Sequence, residues 1–137
     1  MKRGESPIVY GDGKQSRDFT SVHDVVQGIT LAMESKKPLG CDVFNIGRGE
    51  SITLLELIAL LNGILGTSIA PKHIENPVTE GYIRTKQADI GKIQKTLGYR
   101  PAVTMEQGIR EMVKKLGNAS RSSRDRTNQA NAVPKKA

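Results

Sequence analysis

The sequence predicts an α/β fold in which helices alternate with short, isolated strands. Apolar residues recur at helical spacing in four stretches, short β-prone runs lie between them, and glycine or proline marks most boundaries. Strands need partners, and these runs are too few and too short to complete a sheet. We therefore expect an incomplete lobe whose remaining sheet lies in a segment that this sequence does not contain.

The composition is that of one small basic domain. The 137 residues carry a formal net charge of +7, with 36% hydrophobic and 4% aromatic residues. Residues 118–137 contribute +4 of that charge, so the high pI is partly a property of this segment. Cys41 is the single cysteine, which excludes an internal disulfide, and no apolar run is long enough to span a bilayer. We expect a cytoplasmic chain without membrane contact.

The first elements are predicted around a glycine-rich turn. Ile8–Tyr10 and Ser16–Phe19 flank Gly11–Lys14, and Asp-Gly between two β-prone runs is typical of a β-hairpin. Ser21 then begins a helix, with Asp24 as its capping-box partner. Apolar residues follow along this helix at helical spacing: Val22, Val25, Val26, Ile29 and Met33.

The middle of the chain alternates strand and helix signals. Cys41–Ile46 alternates in the manner of a strand, and Thr53 with Glu56 predicts a capping box at the start of a helix. That helix carries an apolar stripe of Leu54, Leu57, Ile58, Leu61 and Leu65, and Gly66 is suited to end it. Two further extended segments are expected at Ile69–Glu75 and Tyr82–Gln87.

The carboxyl-terminal part is predicted to end as a tail. Asp89 caps a short helix closed by Gly98, and Thr104 begins the last helix, which Gly117 stops. The buried side of that helix is expected to hold Met105, Ile109, Met112 and Leu116. From Asn118 the sequence has no apolar face to offset the ordering entropy of about 1–2 kcal/mol per residue. We predict a folded lobe at 1–117 and a disordered basic tail at 118–137.

Arg17 is the first candidate binding residue. A guanidinium offers a planar fork of donors that matches two phosphate oxygens, and it stays charged at every working pH. Its place after a glycine-rich turn is compatible with a diphosphate ligand. An ion pair with Asp18 or Asp24 is the alternative interpretation of the same spacing.

The segment from Tyr10 to Phe19, with Val22–Val26, resembles the sugar-nucleotide-binding segment of a known enzyme family. This is the NAD-dependent epimerase/dehydratase family, the extended short-chain dehydrogenase/reductases, with UDP-glucose 4-epimerase-like members. The resemblance runs from about Arg3 to Leu116 and includes Val43–Gly49, Ala88–Lys92 and Leu97–Pro101. In that family the segment follows the catalytic residues, so the chain resembles the substrate-binding lobe of an enzyme whose Rossmann domain is absent.

The resemblance implies a set of substrate-binding residues. It implies that Arg17 binds the nucleotide diphosphate, that Tyr10 stacks on the base, and that Asn45 lies near the diphosphate. Many members have Arg-x-Gly-Asp before the Ala-Asp-Ile segment, and that arginine is a second phosphate ligand. Here the matching stretch is Thr79-Glu-Gly-Tyr82, which lacks the charge, and Arg84 is the candidate substitute.

No catalytic, cofactor-binding or metal-binding residue is expected. The two Gly-x-Gly pairs, Gly11/Gly13 and Gly47/Gly49, lack the third glycine and the strand–helix context of a dinucleotide site. The family's catalytic Tyr and Lys lie four residues apart on a helix, whereas the spacing matches here, Tyr10/Lys14 and Tyr82/Lys86, fall in a turn and in an extended segment. Neither His23 nor His73 has companions at metal-ligand spacing.

These observations favour the carboxyl-terminal part of a sugar-nucleotide epimerase or dehydratase that anchors the substrate and is not catalytic alone. The resemblance implies NAD for the intact enzyme, none bound by this chain, and a nucleotide-diphosphate sugar as ligand. A separate Rossmann half is a further candidate partner. The alternative is a non-catalytic module that binds a nucleotide sugar or a partner subunit. The tail arginines lack interleaved aromatic residues, so nucleic acid is not favoured.

Overall fold

The structure is a computed structural model that describes residues 1, 3–78 and 80–130, and for 118–130 it describes the backbone alone. The chain divides into two compact units, Met1–Met105 and Glu106–Ala137. The first unit is a mixed α/β structure, as the sequence predicts. The second consists of the greater part of one helix.

Five short strands and four helices follow one another along the described residues. In chain order they are β1 Ile8–Tyr10, β2 Ser16–Arg17, α1 Val22–Met33, β3 Ile52–Thr53, α2 Leu54–Leu65, β4 Lys72–Ile74, β5 Thr85–Lys86, α3 Gly91–Leu97 and α4 Met105–Ala130. The strands form two small sheets. One pairs β1 with β4 in parallel, and the other has the order β3-β2-β5, with β3 antiparallel and β5 parallel to β2.

The hairpin predicted around Gly11–Lys14 is not formed. The turn is present, since Gly11 and Gly13 have φ angles of +73° and +74° and Lys14 N donates to Asp12 Oδ1 at 3.0 Å. However, β1 pairs with β4 and β2 pairs with β3 and β5, so the turn carries the chain from one sheet to the other. The hairpin prediction was wrong because partners distant in sequence competed successfully with the local one.

Helix α1 begins as predicted at Ser21, whose Oγ accepts from His23 N at 3.2 Å. The expected role of Asp24 as capping-box partner was wrong. Asp24 is only 2% exposed, and its Oδ1 accepts from Ala102 N at 2.8 Å and from Val103 N at 3.4 Å. Asp24 thus bonds to a segment 78 residues away instead of to the start of its own helix.

The apolar stripe of α1 faces solvent rather than the core. The side that is buried carries Asp24 and Gly28, and a Cβ at Gly28 would lie 2.8 Å from Ile46 Cδ1. Four of the five apolar residues that the sequence places at helical spacing are between 50% and 81% exposed: Val22, Val26, Ile29 and Met33. We call these four residues the α1 stripe. Their helical spacing is as the sequence predicts, and the structure leaves them exposed.

The extended segment at Cys41–Ile46 is not a strand of either sheet. Among the residues that the structure describes, this segment pairs with no strand. Val43 is 79% exposed. Lys92 Nζ bonds to the Asp42 carboxylate and to Val43 O, which ties this segment to α3 by side-chain contacts instead.

Helices α2 and α3 agree closely with the sequence. The capping box of α2 is complete, with Glu56 N donating to Thr53 Oγ1 at 3.1 Å and Thr53 N donating to Glu56 Oε2 at 2.7 Å. Its C-cap Gly66 has a left-handed φ of +64°. At the start of α3 the N-cap is Ile90, without a side-chain cap, and not Asp89 as predicted. Asp89 Oδ1 nevertheless accepts from Gly91 N at 2.9 Å.

Helix α4 begins at Met105 as expected but continues past Gly117 to Ala130. One glycine in an exposed helix costs only about 1 kcal/mol, and no proline occurs in the sequence between Gly117 and Ala130. Residues 118–130 are therefore helical where disorder was expected, and the proposed boundary at 117/118 falls inside α4. The last seven tail residues, 131–137, lie outside the described residues. No described helix is both long and apolar enough to cross a bilayer.

The most deeply buried side chain of the first unit is Tyr99. It is 0% exposed, and its hydroxyl donates to Gly47 O at 2.8 Å. Burial, followed by the negative charges of Asp24 and Asp18, raises the pKa of this phenol above its ordinary value. Val9, Ile58 and Ile93 complete the apolar core of this unit.

Candidate functional site

A cavity of about 390 Å³ lies beside the glycine-rich turn. One side is built from β1, β2 and the turn between them, and α2 adds Leu54. The opposite side is the loop between β4 and β5. The lining residues are Ile8, Tyr10, Gln15, Arg17, Leu54, Asn76, Pro77, Val78 and Tyr82. The cavity is thus largely apolar, and Arg17 is the only one of its lining residues with a formal charge.

The Arg17 guanidinium is held in place by two carbonyl groups and a ring. Its Nη1 donates to Ser16 O at 2.6 Å and to Arg84 O at 3.0 Å. Its central carbon lies 6.0 Å from the centre of the Tyr82 ring, at the outer limit of a cation–π contact. Within the described part of the chain, both hydrogen bonds of this side chain use Nη1. The hydrogens on Nε and Nη2 therefore remain available for a planar bidentate ligand.

Arg84 forms an ion pair with the glycine-rich turn. Its Nη2 lies 2.8 Å from Asp12 Oδ2, and both side chains are exposed. The hydrogen bond from Arg84, followed by that from Lys14 N, holds the pKa of the Asp12 carboxyl below its ordinary value. An exposed pair of this kind stabilises the fold little. Its geometric effect is to connect the turn to the loop that carries Tyr82.

Three of the four predicted site residues are close in space. Tyr10 and Arg17 line the cavity, and Arg84 contacts Arg17 through its backbone carbonyl. Asn45 is not among the lining residues, and its Nδ2 donates to Asp89 O at 3.3 Å. Asp89 lines a second, more polar cavity of about 610 Å³. The structure therefore groups Tyr10, Arg17 and Arg84 and places Asn45 apart from the cavity that they share.

Sequence reasoning did not assign Gln15, Asn76 or Tyr82 to the cavity. Gln15 is 5% exposed, and its Nε2 donates to Tyr10 O at 2.9 Å across the turn, which supports the position of Tyr10. The place of Gln15 between Tyr10 and Arg17 was a usable signal. Asn76 gave no signal, because the parallel pairing of β1 with β4 brings its loop to the site.

Each of the two Gly-x-Gly pairs contains a glycine that packs closely against other side chains of this chain. A Cβ at Gly13 would lie 2.9 Å from Leu55, and one at Gly47 would lie 2.4 Å from the Ala88 Cβ. These glycines allow close packing within the chain, and they do not form a cradle at a helix start that follows a parallel strand.

The two Tyr/Lys pairs do not lie on helices. Tyr10 ends β1 and Lys14 lies in the turn, whereas Tyr82 lies in a loop and Lys86 in β5. Within the described residues no group of three or more His, Cys, Asp or Glu side chains is placed to hold a metal ion.

Residues 1–112 match the sequence profile of the family described as GDP-mannose 4,6 dehydratase. Among curated proteins, the chain is similar to the UDP-glucuronate 4-epimerase of Thermodesulfobacterium geofontis, with 33% identity over 111 residues, 80% of this chain and 33% of the relative. It is also similar to a putative UDP-glucose 4-epimerase of Methanocaldococcus jannaschii, with 31% identity over 125 residues, 89% of this chain and 38% of the relative.

Solved structures show the same relationship. The UDP-glucose 4-epimerase of Thermotoga maritima, solved with UDP-glucose, has a TM-score of 0.76 and 34% identity over 87% of this chain and 37% of its own. The UDP-glucuronic acid 4-epimerase of Bacillus cereus, solved with UDP-glucuronic acid and NAD, has a TM-score of 0.74 and 32% identity over 83% of this chain and 37% of its own. The chain thus spans roughly a third of the length of these relatives.

Proposed function

Because the chain belongs to the NAD-dependent epimerase/dehydratase family of extended short-chain dehydrogenase/reductases, we propose that it is the nucleotide-binding part of a UDP-sugar epimerase-like enzyme. In this proposal the cavity holds the nucleotide diphosphate of the substrate. Arg17 contacts the diphosphate, Tyr10 packs on the base, and Arg84 adds positive charge at the edge of the cavity. The chain binds substrate and is not catalytic alone.

The observation that carries this proposal is the placement of Arg17 beside an exposed tyrosine in a largely apolar cavity. Tyr10 is 50% exposed, and its ring is available for stacking. A nucleoside diphosphate combines a flat base with two anionic groups, which matches one aromatic ring and one guanidinium. The relatives solved with UDP-glucose and with UDP-glucuronic acid support this ligand class.

Asn45 has a smaller place in the proposal. It lies outside the cavity, and its contact with Asp89 O makes it part of the neighbouring polar surface. We retain it only as a residue near the diphosphate, which is the role that the resemblance implies.

The oxidation step requires a further polypeptide segment. Several relatives were solved with NAD, and NAD accepts and returns a hydride in such chemistry. The glycine pairs of this chain do not fit the dinucleotide, and neither Tyr/Lys pair lies on a helix. We propose that this chain binds no cofactor, and that a Rossmann half, either a separate polypeptide or a longer form of this one, supplies both NAD and the catalytic base.

The α1 stripe and the segment 41–46 support the proposal that this chain binds a Rossmann half. Parallel sheets in α/β proteins are covered by helices, and each strand is paired on at least one side. Helix α1 leads through a short connection into 41–46, and Gly28 packs on Ile46. The two together resemble the helix and strand of a βαβ unit whose neighbouring strands are missing. The occupant that we assign to this surface is therefore the parallel sheet of the Rossmann half.

The experiment for the binding proposal is calorimetry of the full chain with UDP. A charge-assisted hydrogen bond to phosphate contributes about 1.5–3 kcal/mol, so Arg17→Ala should weaken UDP binding by roughly ten- to hundred-fold. Tyr10→Ala should weaken it less, because lost stacking leaves no buried charge unpaired. Lys72→Ala, an exposed cation outside the cavity lining, is the matched control. An unchanged affinity in Arg17→Ala would refute the phosphate role.

A further inference from the structure

The loop between β4 and β5 forms one side of the cavity and contacts Arg17 twice. It contributes the Arg84 carbonyl, which accepts from Arg17 Nη1, and the Tyr82 ring, which lies over the guanidinium. Gly81, with a φ of +69°, makes the turn directly before Tyr82. The loop thus accepts a hydrogen bond from one edge of the Arg17 guanidinium and places an aromatic ring near one of its faces.

Tyr82 is an uncharged aromatic residue that directly follows Gly81. An aspartate at this position would add a negative charge beside Arg17 and compete with an anionic ligand for its donors. A tyrosine ring covers the face of the guanidinium without using any N–H group.

We propose that Tyr82 positions the Arg17 guanidinium so that its Nε–Nη2 edge is presented to a diphosphate, an inference that rests on the proposed function. Nη1 is engaged by Ser16 O and Arg84 O, and the centre of the Tyr82 ring lies 6.0 Å from the central carbon of the guanidinium. In this proposal the ring limits rotation of the guanidinium plane. A side chain that is ordered before binding loses less conformational entropy when the ligand arrives.

The binding experiment uses the full chain with two probes, UDP and inorganic pyrophosphate. Since Tyr82 acts through Arg17, Tyr82→Ala should weaken both probes by the same factor, about two- to five-fold. Tyr82→Phe, which retains the ring, should restore the affinity. Ile83→Ala, an exposed neighbour outside the cavity lining, is the control and should change neither. In an Arg17→Ala background, Tyr82→Ala should have no further effect.

Two outcomes of this experiment would overturn the proposal. A loss of UDP affinity with unchanged pyrophosphate affinity would make Tyr82 a wall for the base instead of a positioning residue. An effect of Tyr82→Ala that persists without Arg17 would show that the ring acts on the ligand directly.

A measurement without ligand separates this proposal from the proposed function. The ¹⁵N relaxation of the Arg17 Nε–H group should report an ordered side chain in the parent and in Tyr82→Phe, and a mobile one in Tyr82→Ala. Equal order in all three proteins would refute the positioning role even if UDP binds. Absence of UDP binding with the expected pattern of order would refute the proposed function alone.

Discussion

At the residue scale, two aspartates connect segments that are far apart in the chain. Asp18 accepts backbone hydrogen bonds from Arg48 N at 3.0 Å, Gly49 N at 2.9 Å and Ala88 N at 3.3 Å. Asp24 does the same for Ala102 N and Val103 N. A carboxylate satisfies several N–H groups at once, so these residues substitute for the sheet pairing that the short strands cannot provide.

Tyr99 gives the residue-scale prediction. Its raised pKa means that the folded state retains the phenolic proton to higher pH than the unfolded chain. The free energy of unfolding should therefore fall as pH rises above the unfolded value of about 10. Tyr99→Phe should cost about 1–2 kcal/mol at pH 7, because Gly47 O loses its donor.

The difference in the free energy of unfolding between the parent and Tyr99→Phe should narrow above pH 10, since the variant has no phenol to titrate at this position. Denaturant unfolding from pH 7 to pH 11 measures this difference. Tyr10→Phe, at an exposed tyrosine, is the control for general effects of alkali. A stability difference that stays constant from pH 7 to pH 11 would contradict the raised pKa of Tyr99 in the folded state.

At the element scale, α1 has two functional sides. Its buried side packs on the first unit through Asp24 and Gly28, and its stripe of four exposed apolar residues lies elsewhere on the helix surface. Contiguous exposed apolar surface of this kind is typical of an interaction site. Segment 41–46 adds an unpaired extended backbone, within the described residues, to the same part of the chain.

The docking proposal is tested by co-expression with the part of the Thermotoga maritima epimerase that this chain does not cover. The full chain should co-purify with that part and restore turnover of UDP-glucose, whereas the chain alone with added NAD should show none. Val26→Asp combined with Ile29→Asp should abolish co-purification without changing UDP affinity or thermal unfolding, because both side chains are exposed. Ala59→Asp, at an exposed position of α2, is the matched control.

Light scattering on the chain alone tests whether a second copy of this chain covers the α1 stripe instead. Dimers that dissociate in the Val26→Asp/Ile29→Asp variant would assign the α1 stripe to a second copy of this chain. Co-purification that survives both substitutions would show that the Rossmann half binds elsewhere.

At the scale of the whole molecule, the first unit has a small core and relies on polar contacts to close it. Its fully buried apolar residues are few, and the deepest of them, Tyr99, is itself hydrogen-bonded. In the second unit, Ile109 is buried as predicted, whereas Met112 and Leu116 are each 52% exposed. The predicted burial of these last two residues was wrong.

Deletion of residues 118–137 should leave folding unchanged. This segment has no periodic apolar face in the sequence, so residues 118–137 have little apolar surface to bury against the rest of the chain. The thermal midpoints of the 1–117 chain and the full chain should therefore agree within about 1–2 °C. Truncation at residue 108, which removes the buried Ile109, should lower the midpoint by several degrees and serves as the control. A similar drop in the 1–117 chain would contradict the prediction.

Local chemistry determined the helices, their starts and the arginine of the candidate site. The Thr53–Glu56 capping box, the Gly66 and Gly98 helix ends and the periodicity of α2 depend on neighbours within a few residues, so the sequence alone specifies them. The resemblance identified the family and selected Arg17, because its motif is continuous in the chain. The same local rules located the α1 stripe, although they carry no information about which side of a helix is covered.

Pairing, burial and the assembly of the cavity were decided by the tertiary structure. Three contacts join residues that are 64 or more positions apart: the pairing of β1 with β4, the hydrogen bond from Ala102 N to Asp24, and the approach of Tyr82 to Arg17. Local spacing cannot rank such contacts, because their free energies depend on surfaces that form only when distant segments meet. The sequence by itself therefore specified a family and a guanidinium, and the fold specified the ring, carbonyls and loop that orient it.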